Sequence, residues 1–238
     1  MHTLSDKLLT RNEQAYQTMR QMIATGQMVP GKWLKKLDLA EEMDMSPTPV
    51  VEALRRLQHE GLVEVEARVG VRVRSFNTGE VRELYIMREM LECAVARECA
   101  LKFEPYQVMR FRQMAVQLDE LNQKWVDPDL AETFSRGSLS EEEVAFHLGL
   151  AQEAGLSLFA REIERLAMLK TTCRLVLLPA PTTNVSHEAI MDAIATGDAE
   201  KAEEAMRRHV REIREKVVPL LLERFGDGPI IWDGQENK

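Results

Sequence analysis

Ser46-Pro47-Thr48-Pro49-Val50-Val51-Glu52-Ala53-Leu54-Arg55-Arg56-Leu57, continued by Gly61-Leu62-Val63-Glu64-Val65-Glu66-Ala67-Arg68-Val69-Gly70-Val71-Arg72-Val73-Arg74, is the stretch whose reading decides the fold. Ser46 is a good helix N-cap, since its hydroxyl can accept from the free N–H groups of a first turn. Pro47 then stands at the first helical position, where its missing N–H costs nothing. The pattern predicts a helix through Leu57, stopped by Gly61. From Leu62 to Arg74 the period changes. Val63 and Val65, then Val71 and Val73, alternate with charged residues, which predicts a two-stranded hairpin with a basic tip at Arg68.

Upstream, Ala15, Met19, Met22 and Ile23 form one helical stripe within a helix expected over residues 12–25. Gly26 and Pro30-Gly31 end it, and a short helix follows over 37–43. Helix, helix, turn, helix, hairpin is the order of a winged helix-turn-helix. Downstream of Thr78 no strand signal remains. Helices are expected over 78–102, 105–125, 129–135, 140–153, 157–177, 183–196 and 198–224, with Asp198 capping the last, which makes an all-α bundle. The fold class is therefore mainly α. A winged helix-turn-helix with a small β-hairpin wing fills residues 1–75, a helical bundle fills 76–225, and a tail covers 226–238. The tail is expected to be loose, although Ile230-Ile231-Trp232 is apolar enough to dock. The hinge between the two domains is expected at residues 75–79. No internal repeat is visible.

The chain has 238 residues, 31 Lys+Arg against 39 Asp+Glu, and a net charge of −8. Hydrophobic content of 45% rules out general disorder. Apolar runs are far shorter than the ~20 residues needed to cross a bilayer, and no secretory signal is visible at the N-terminus. Cys93, Cys99 and Cys173 form no CxxC pair, which fits reduced thiols in a cytoplasmic protein, read as small core residues rather than a redox site. A net negative charge argues against nucleic acid, but its distribution matters more. Residues 1–75 hold 11 basic and 10 acidic side chains, net +1, and residues 76–238 hold 20 and 29, net −9.

Three of the five histidines fall on apolar stripes of the expected bundle. His147 accompanies Val144, Leu148 and Ala151; His187 accompanies Ile190, Met191 and Ile194; His209 accompanies Met206, Val210 and Ile213. A buried imidazole must find a partner, which is either a core hydrogen bond or a metal ion held between helices. Glu143 lies four residues before His147, on the same face. It has a second reading as the last member of a capping box, Ser140-Glu141-Glu142-Glu143. Arg88 lies on the apolar side of the first bundle helix and needs an anion. That anion is either Glu92, one turn away, another helix's carboxylate, or the carboxylate of a bound effector. Arg165, Arg174 and Arg208 are further, weaker candidates for it.

Gly26, Pro30-Gly31, Leu39-Ala40-Glu41, Ser46 to Leu54, Leu57, Glu60-Gly61-Leu62-Val63 and Gly70-Val71-Arg72-Val73 together resemble the DNA-binding domain of GntR-type bacterial regulators, colinearly over about 65 residues. The rest of the chain resembles the FadR-type subfamily, whose all-helical FCD ligand domain carries a D-x-x-F-H motif and two later histidines 22 residues apart. Here the counterparts are Glu143-Val144-Ala145-Phe146-His147, then His187 and His209, with Arg88…Leu91-Glu92 and His187-Glu188-Ala189-Ile190 also matching. The resemblance implies a divalent ion (Zn, Ni or Mn) on Glu143, His147, His187 and His209, and a small organic acid that meets Arg88.

It further implies a homodimeric transcription regulator, acting as a repressor, that reads a palindromic double-stranded operator. A recognition helix puts its first turn in the major groove, so Ser46 and Thr48 can reach phosphate or base edges. Lys35, Lys36, Arg55 and Arg68 are candidates for phosphate contacts, as are Arg56 and Arg72. Gly70 lets the wing approach DNA closely. The sequence departs from the family at Pro47 and Val51, where an Arg is usual, at Leu37, where a basic residue is often found, at Glu143 in place of Asp, and at Leu156 in place of a pocket Asn. Two other readings stay open. One is a regulator that senses metal alone. The other is a metalloenzyme using a centre of three histidines and a carboxylate, although no HExxH or separate general base is present.

Overall fold

A computed structural model describes residues 9–126, 136–174 and 186–231, with side chains left undescribed at 125–126, 136–140 and 170–174. The elements in chain order are α1 (Arg11–Ala24), β1 (Trp33–Leu34), α2 (Lys36–Glu42), α3 (Pro47–His59), β2 (Val63–Glu66), β3 (Gly70–Val73), α4 (Thr78–Lys102), α5 (Pro105–Val126), α6 (Arg136–Glu153), α7 (Ser157–Arg174), α8 (His187–Ala195) and α9 (Ala199–Phe225). They divide into two compact units. One holds the described residues up to Phe76 together with 229–231, and the other those from Asn77 to Gly228.

In the first unit the predicted stripe on α1 is buried, with Tyr16 beside it, and meets Val50, Ala53, Leu54 and Leu57 of α3. Ser46 is the N-cap residue of α3, with Pro47 at the first helical position. Asp44 turns the chain between α2 and α3 in a left-handed conformation, φ 50°, which Asp tolerates better than most residues. The sheet has three strands in the order β1-β3-β2, all antiparallel, so the predicted hairpin gains a short third strand. Trp33-Leu34 is too short for a period-2 pattern to reveal, and pairing with Arg72 and Val71 creates it. Arg68, at φ 66°, sits in the hairpin turn that Val69 N–H closes onto the Glu66 carbonyl at 3.1 Å.

The tail differs from expectation. Gly226 closes α9, and the described residues 229–231 belong to the first unit instead of hanging loose. Ile230 is buried and donates its N–H to the Phe76 carbonyl at 2.7 Å. Ile231 lies over Gly31, which is left-handed at φ +80°; a Cβ there would come within 3.1 Å of Ile231 Cγ2. Both the backbone angle and the contact therefore favour glycine at position 31.

In the second unit α4 opens with a capping box outside the sequence expectation. Asn77 Oδ1 accepts from Glu80 N–H at 2.8 Å, and Glu80 Oε2 accepts from Asn77 N–H at 3.0 Å. The division between units falls at 76/77, so Thr78 and Gly79 belong to the first turn of α4 rather than to a hinge. Helix α9 lies along α4, and α8 packs on α5, α9 and α4. Helix α6 begins at Arg136, not at 140. Ser140 is therefore inside a helix, and the expected Ser140 capping box does not exist: its N–H is not at a helix terminus. The short helix expected at 129–135 and the stretches 175–177 and 183–185 lie outside the described residues. Pro219 is accommodated inside α9.

Candidate metal centre and nucleic-acid interface

Five helices of the second unit converge on one buried polar cluster. Arg88 and Glu92 come from α4, Asp119 from α5, Glu143 and His147 from α6, His187 from the first position of α8, and His209 from α9. Arg88, Glu92, Glu143, His147, His187 and His209 are all at most 5% exposed. Each rides on the stripe its helix buries: α6 also buries Phe146 and Leu150, α8 buries Ile190, Met191 and Ile194, and α9 buries Met206, Val210 and Ile213.

The three imidazoles face one another. Ring centroids are 4.5 Å apart for His187–His209, 5.3 Å for His147–His209 and 5.6 Å for His147–His187. One ring nitrogen from each lies within 4.8 Å of the other two. The edge-on ring of Phe146 stands 5.3 Å from His147 and 5.2 Å from His187. Nε2 of His147, Nε2 of His187 and both ring nitrogens of His209 are buried without a hydrogen-bond partner. Several buried ring nitrogens without a partner, close to one another, are costly unless something meets them. Burial, then the neighbouring His187 and His147, holds His209 well below the usual imidazole range. Burial also lowers His147, against the opposing pull of Glu92. Neutral imidazoles are the form a metal ion requires. Three of them beside buried carboxyl groups fit a divalent transition-metal ion such as Zn, Ni or Mn.

Two buried carboxyl groups stand beside Arg88. Glu143 is buried on α6 but is not grouped with the three ring nitrogens; its Oε1 lies 4.0 Å from Arg88 Nη2. The Arg88 fork is taken by Glu92, with Nε–Oε1 at 2.7 Å and Nη2–Oε2 at 3.2 Å. Only Nη1 of Arg88 has no hydrogen-bond partner. Burial works against both charges, yet their attraction outweighs it: the guanidinium is pushed further up and the Glu92 carboxyl far down. Glu92 Oε2 also stands 3.1 Å from His147 Nδ1, an ion-pair distance without the alignment of a hydrogen bond.

Asp119 is the member of the cluster that the sequence expectation lacks. Its Oδ1 meets His187 Nδ1 at 2.6 Å and accepts His187 N–H at 2.9 Å. Its Oδ2 accepts from Ser186 Oγ at 2.9 Å and Glu188 N–H at 3.1 Å. A signal is present: Phe111, Ala115, Leu118 and Asp119 recur at helical spacing, and the first three are buried. An acid on that stripe is as informative as a histidine on one. Among the weaker arginines, Arg165 pairs with Glu162 at 2.9 Å, Arg208 is exposed, and the Arg174 side chain lies outside the described residues.

In the first unit, Ser46 and Thr48 are exposed at the start of α3, and the Ser46 hydroxyl makes no capping bond. Lys35 is the exposed N-cap of α2, 3.6 Å from Asp38, and Lys36 is exposed beside it. Arg55 is exposed and pairs with Glu52 of its own helix at 2.6 Å. Arg68 is exposed at the wing tip. Gly70, at φ +151°, has the Trp33 ring 3.5 Å from where a Cβ would stand, so its backbone angle more than space calls for glycine. Arg56 and Arg72 are engaged elsewhere. Arg56 reaches Glu13 at 2.7 Å and lies 3.5 Å above the Tyr16 ring; Arg72 bonds Glu64 at 2.7 Å beside Trp33.

Comparison with known proteins agrees with both halves. The family described as bacterial regulatory proteins, gntR family, matches residues 11–73, and the FCD domain matches residues 83–212. An HTH-type transcriptional regulator from an unstable DNA locus of Streptomyces ambofaciens is 32% identical over 208 residues, 86% of this chain and 84% of the relative. The HTH-type transcriptional repressor RspR of Escherichia coli (strain K12) is 27% identical over 211 residues, 87% of this chain and 88% of the relative. The solved structure of E. coli McbR/YncC superposes with a TM-score of 0.68 at 17% identity, over 91% of this chain and 99% of that one, and shows the same fold.

A winged helix-turn-helix followed by a helical bundle with a buried histidine cluster is here a DNA-binding transcriptional regulator and not an enzyme. The chain belongs to the GntR family, in the FadR-type branch that carries an FCD domain. No described helix is long and apolar enough to cross a membrane.

Proposed function

We propose that this regulator is a repressor whose helical domain holds one divalent ion on His147, His187 and His209 and responds to a small carboxylate bound beside it. The observation that carries the reading is the convergence of three buried imidazoles whose inward nitrogens have no protein partner. A bound ion supplies Lewis acidity toward a carboxylate oxygen, and Nη1 of Arg88 is the remaining donor for the same anion. Glu143, buried on α6 and 4.0 Å from Arg88 Nη2, is the candidate fourth ligand. The likeness to a named repressor supports repression over activation.

The DNA contacts follow from exposure. Ser46 and Thr48 address the major groove, Lys35, Lys36, Arg55 and Arg68 neutralise phosphates, and Gly70 shapes the wing. One recognition helix reads only a half-site, so the working form is a homodimer on a palindrome. The effector acts by favouring one arrangement of the two DNA-binding units, and it does so only to the extent of its differential affinity.

A second reading has its own support. Because Glu92 already occupies the Arg88 fork, the metal itself can be the signal, with no organic effector. A thermal-shift series separates the two readings. Stabilisation by Zn²⁺ or Ni²⁺, with a further rise for a subset of hydroxycarboxylates, supports the effector reading. Stabilisation by metal alone supports the metal-sensing one, and no shift with any metal contradicts both.

A further inference from the structure

The carboxylate of Asp119 touches the histidine cluster from outside, and its four contacts have one joint consequence. Helix α8 starts at His187, so the N–H groups of His187, Glu188 and Ala189 have no partner within the helix. Asp119 takes the first two and Ser186 Oγ takes the third at 3.2 Å. Asp119 thereby caps α8 from a neighbouring helix and fixes where His187 stands. The same Oδ1 that accepts the His187 backbone N–H sits 2.6 Å from the Nδ1 of its ring. Backbone and ring are gripped by one atom.

An ionised carboxylate can only accept hydrogen bonds. Each oxygen of Asp119 already accepts a backbone N–H, Oδ1 from His187 at 2.9 Å and Oδ2 from Glu188 at 3.1 Å, so the group stands as an acceptor toward α8. The proton on the His187 ring therefore belongs on Nδ1, and the lone pair on Nε2, the buried nitrogen without a partner. We infer that Asp119 is the positioning residue of the histidine centre: it locks His187 in the Nδ1–H tautomer and fixes its ring so that Nε2 is presented as a ligand. This rests on the reading of the three histidines as a metal site. It goes beyond that reading by assigning a role to a side chain that never touches the ion. Carboxylates placed this way raise the basicity of the ligand and fix its orientation. Glu92 stands near His147 Nδ1 in a similar relation, but Arg88 already claims both its oxygens.

The test combines NMR of the metal-free, full-length protein, labelled with 15N in its histidine rings, with Zn²⁺ affinity measured against a competing chelator. For the wild type, His187 is expected to show a protonated Nδ1 and an unprotonated Nε2. In Asp119→Ala that signature is lost and Zn²⁺ affinity falls about 10–100-fold. Asp119→Asn, which keeps one acceptor oxygen for the ring, is expected to recover much of both. Ser186→Ala removes a cap bond of α8 and the Ser186 Oγ bond to Asp119 Oδ2, but leaves the Oδ1 contact with the ring, and should leave affinity within about threefold of the wild type. It controls for loss of the helix start.

An Nε2-bound proton on His187 in the wild type overturns the inference, as does wild-type affinity in Asp119→Ala. An equal loss of affinity in Ser186→Ala with the Nδ1–H signal of His187 intact also overturns it, since capping alone then explains the effect. If the wild type takes up no Zn²⁺, the metal reading fails separately. The tautomer signal still decides the hold of Asp119 on the ring, an Nδ1-bound proton supporting it and an Nε2-bound proton overturning it.

Discussion

At the scale of single residues, the buried Arg88–Glu92 pair is the sharpest case. Taking two charges out of water costs several kcal/mol per ion, which an ideal fork on a carboxylate roughly offsets. Removing one partner leaves the other stranded. Glu92→Ala is therefore expected to destabilise the protein by about 3 kcal/mol in denaturant unfolding. The double change Arg88→Met, Glu92→Leu should cost far less; an equal or larger loss would show that the pair itself is strongly stabilising. The cysteines give a second prediction. Burial pushes the Cys93 and Cys99 thiols up to about 12, so almost no thiolate exists near pH ~8. A Cys173→Ser variant should resist maleimide for hours when native and react at two sites when unfolded. Fast native labelling would contradict the burial. At this scale the three histidines and Arg88 are legible because a polar side chain on an apolar stripe is conspicuous. The partner of Arg88 is readable only as a set of alternatives, because an i,i+4 carboxylate and an absent ligand leave the same trace in sequence. Asp119 stands on an equally clear stripe, but its partners lie 67 to 69 positions away, and spacing does not reveal pairs so distant.

At the scale of elements, the winged head separates its arginines by task. Arg56, on the Tyr16 ring and bonded to Glu13, holds α3 to α1. Arg68 protrudes from the turn between β2 and β3, and Lys35 from the start of α2. Arg68→Ala and Lys35→Ala should each weaken DNA binding at all sequences and reduce the slope of log K against log salt by about 1. Arg56→Ala should instead lower the stability of the head and leave the slope unchanged. A reduced slope with Arg56→Ala, or unchanged slopes with the other two, would reverse the assignment. The order helix, helix, turn, helix, hairpin is legible because α3 announces its cap and the valines of β2 and β3 alternate. Strand β1 is not, since two residues carry no period. The start of α6 is hidden for a related reason: Ser140 looks like a cap in sequence, but helix continues through it.

At the scale of the molecule, a net charge of −8 splits into a near-neutral reading head and an acidic helical domain. On the proposed reading, DNA binding depends on a few placed cations and on dimerisation more than on a broad basic face. The two-domain order is legible from the loss of strand signals after Thr78. The place of residues 229–231 in the head is not, because a short apolar run names no docking site. Ile230 is buried there, and Ile230→Ala should destabilise the head by about 2–4 kcal/mol, seen as faster hydrogen exchange across α1 and α3 with the helical domain unchanged. Equal exchange in both proteins would contradict that docking. The central claim is that the helical domain is organised around a metal ion. Elemental analysis of purified full-length protein, beside the His187→Ala, His209→Ala double variant, tests it most directly. The account predicts about one divalent ion per chain in the wild type and none in the variant. Stoichiometric metal retained by the variant, or a wild type that stays metal-free after exposure to Zn²⁺, Ni²⁺ and Mn²⁺, would contradict it.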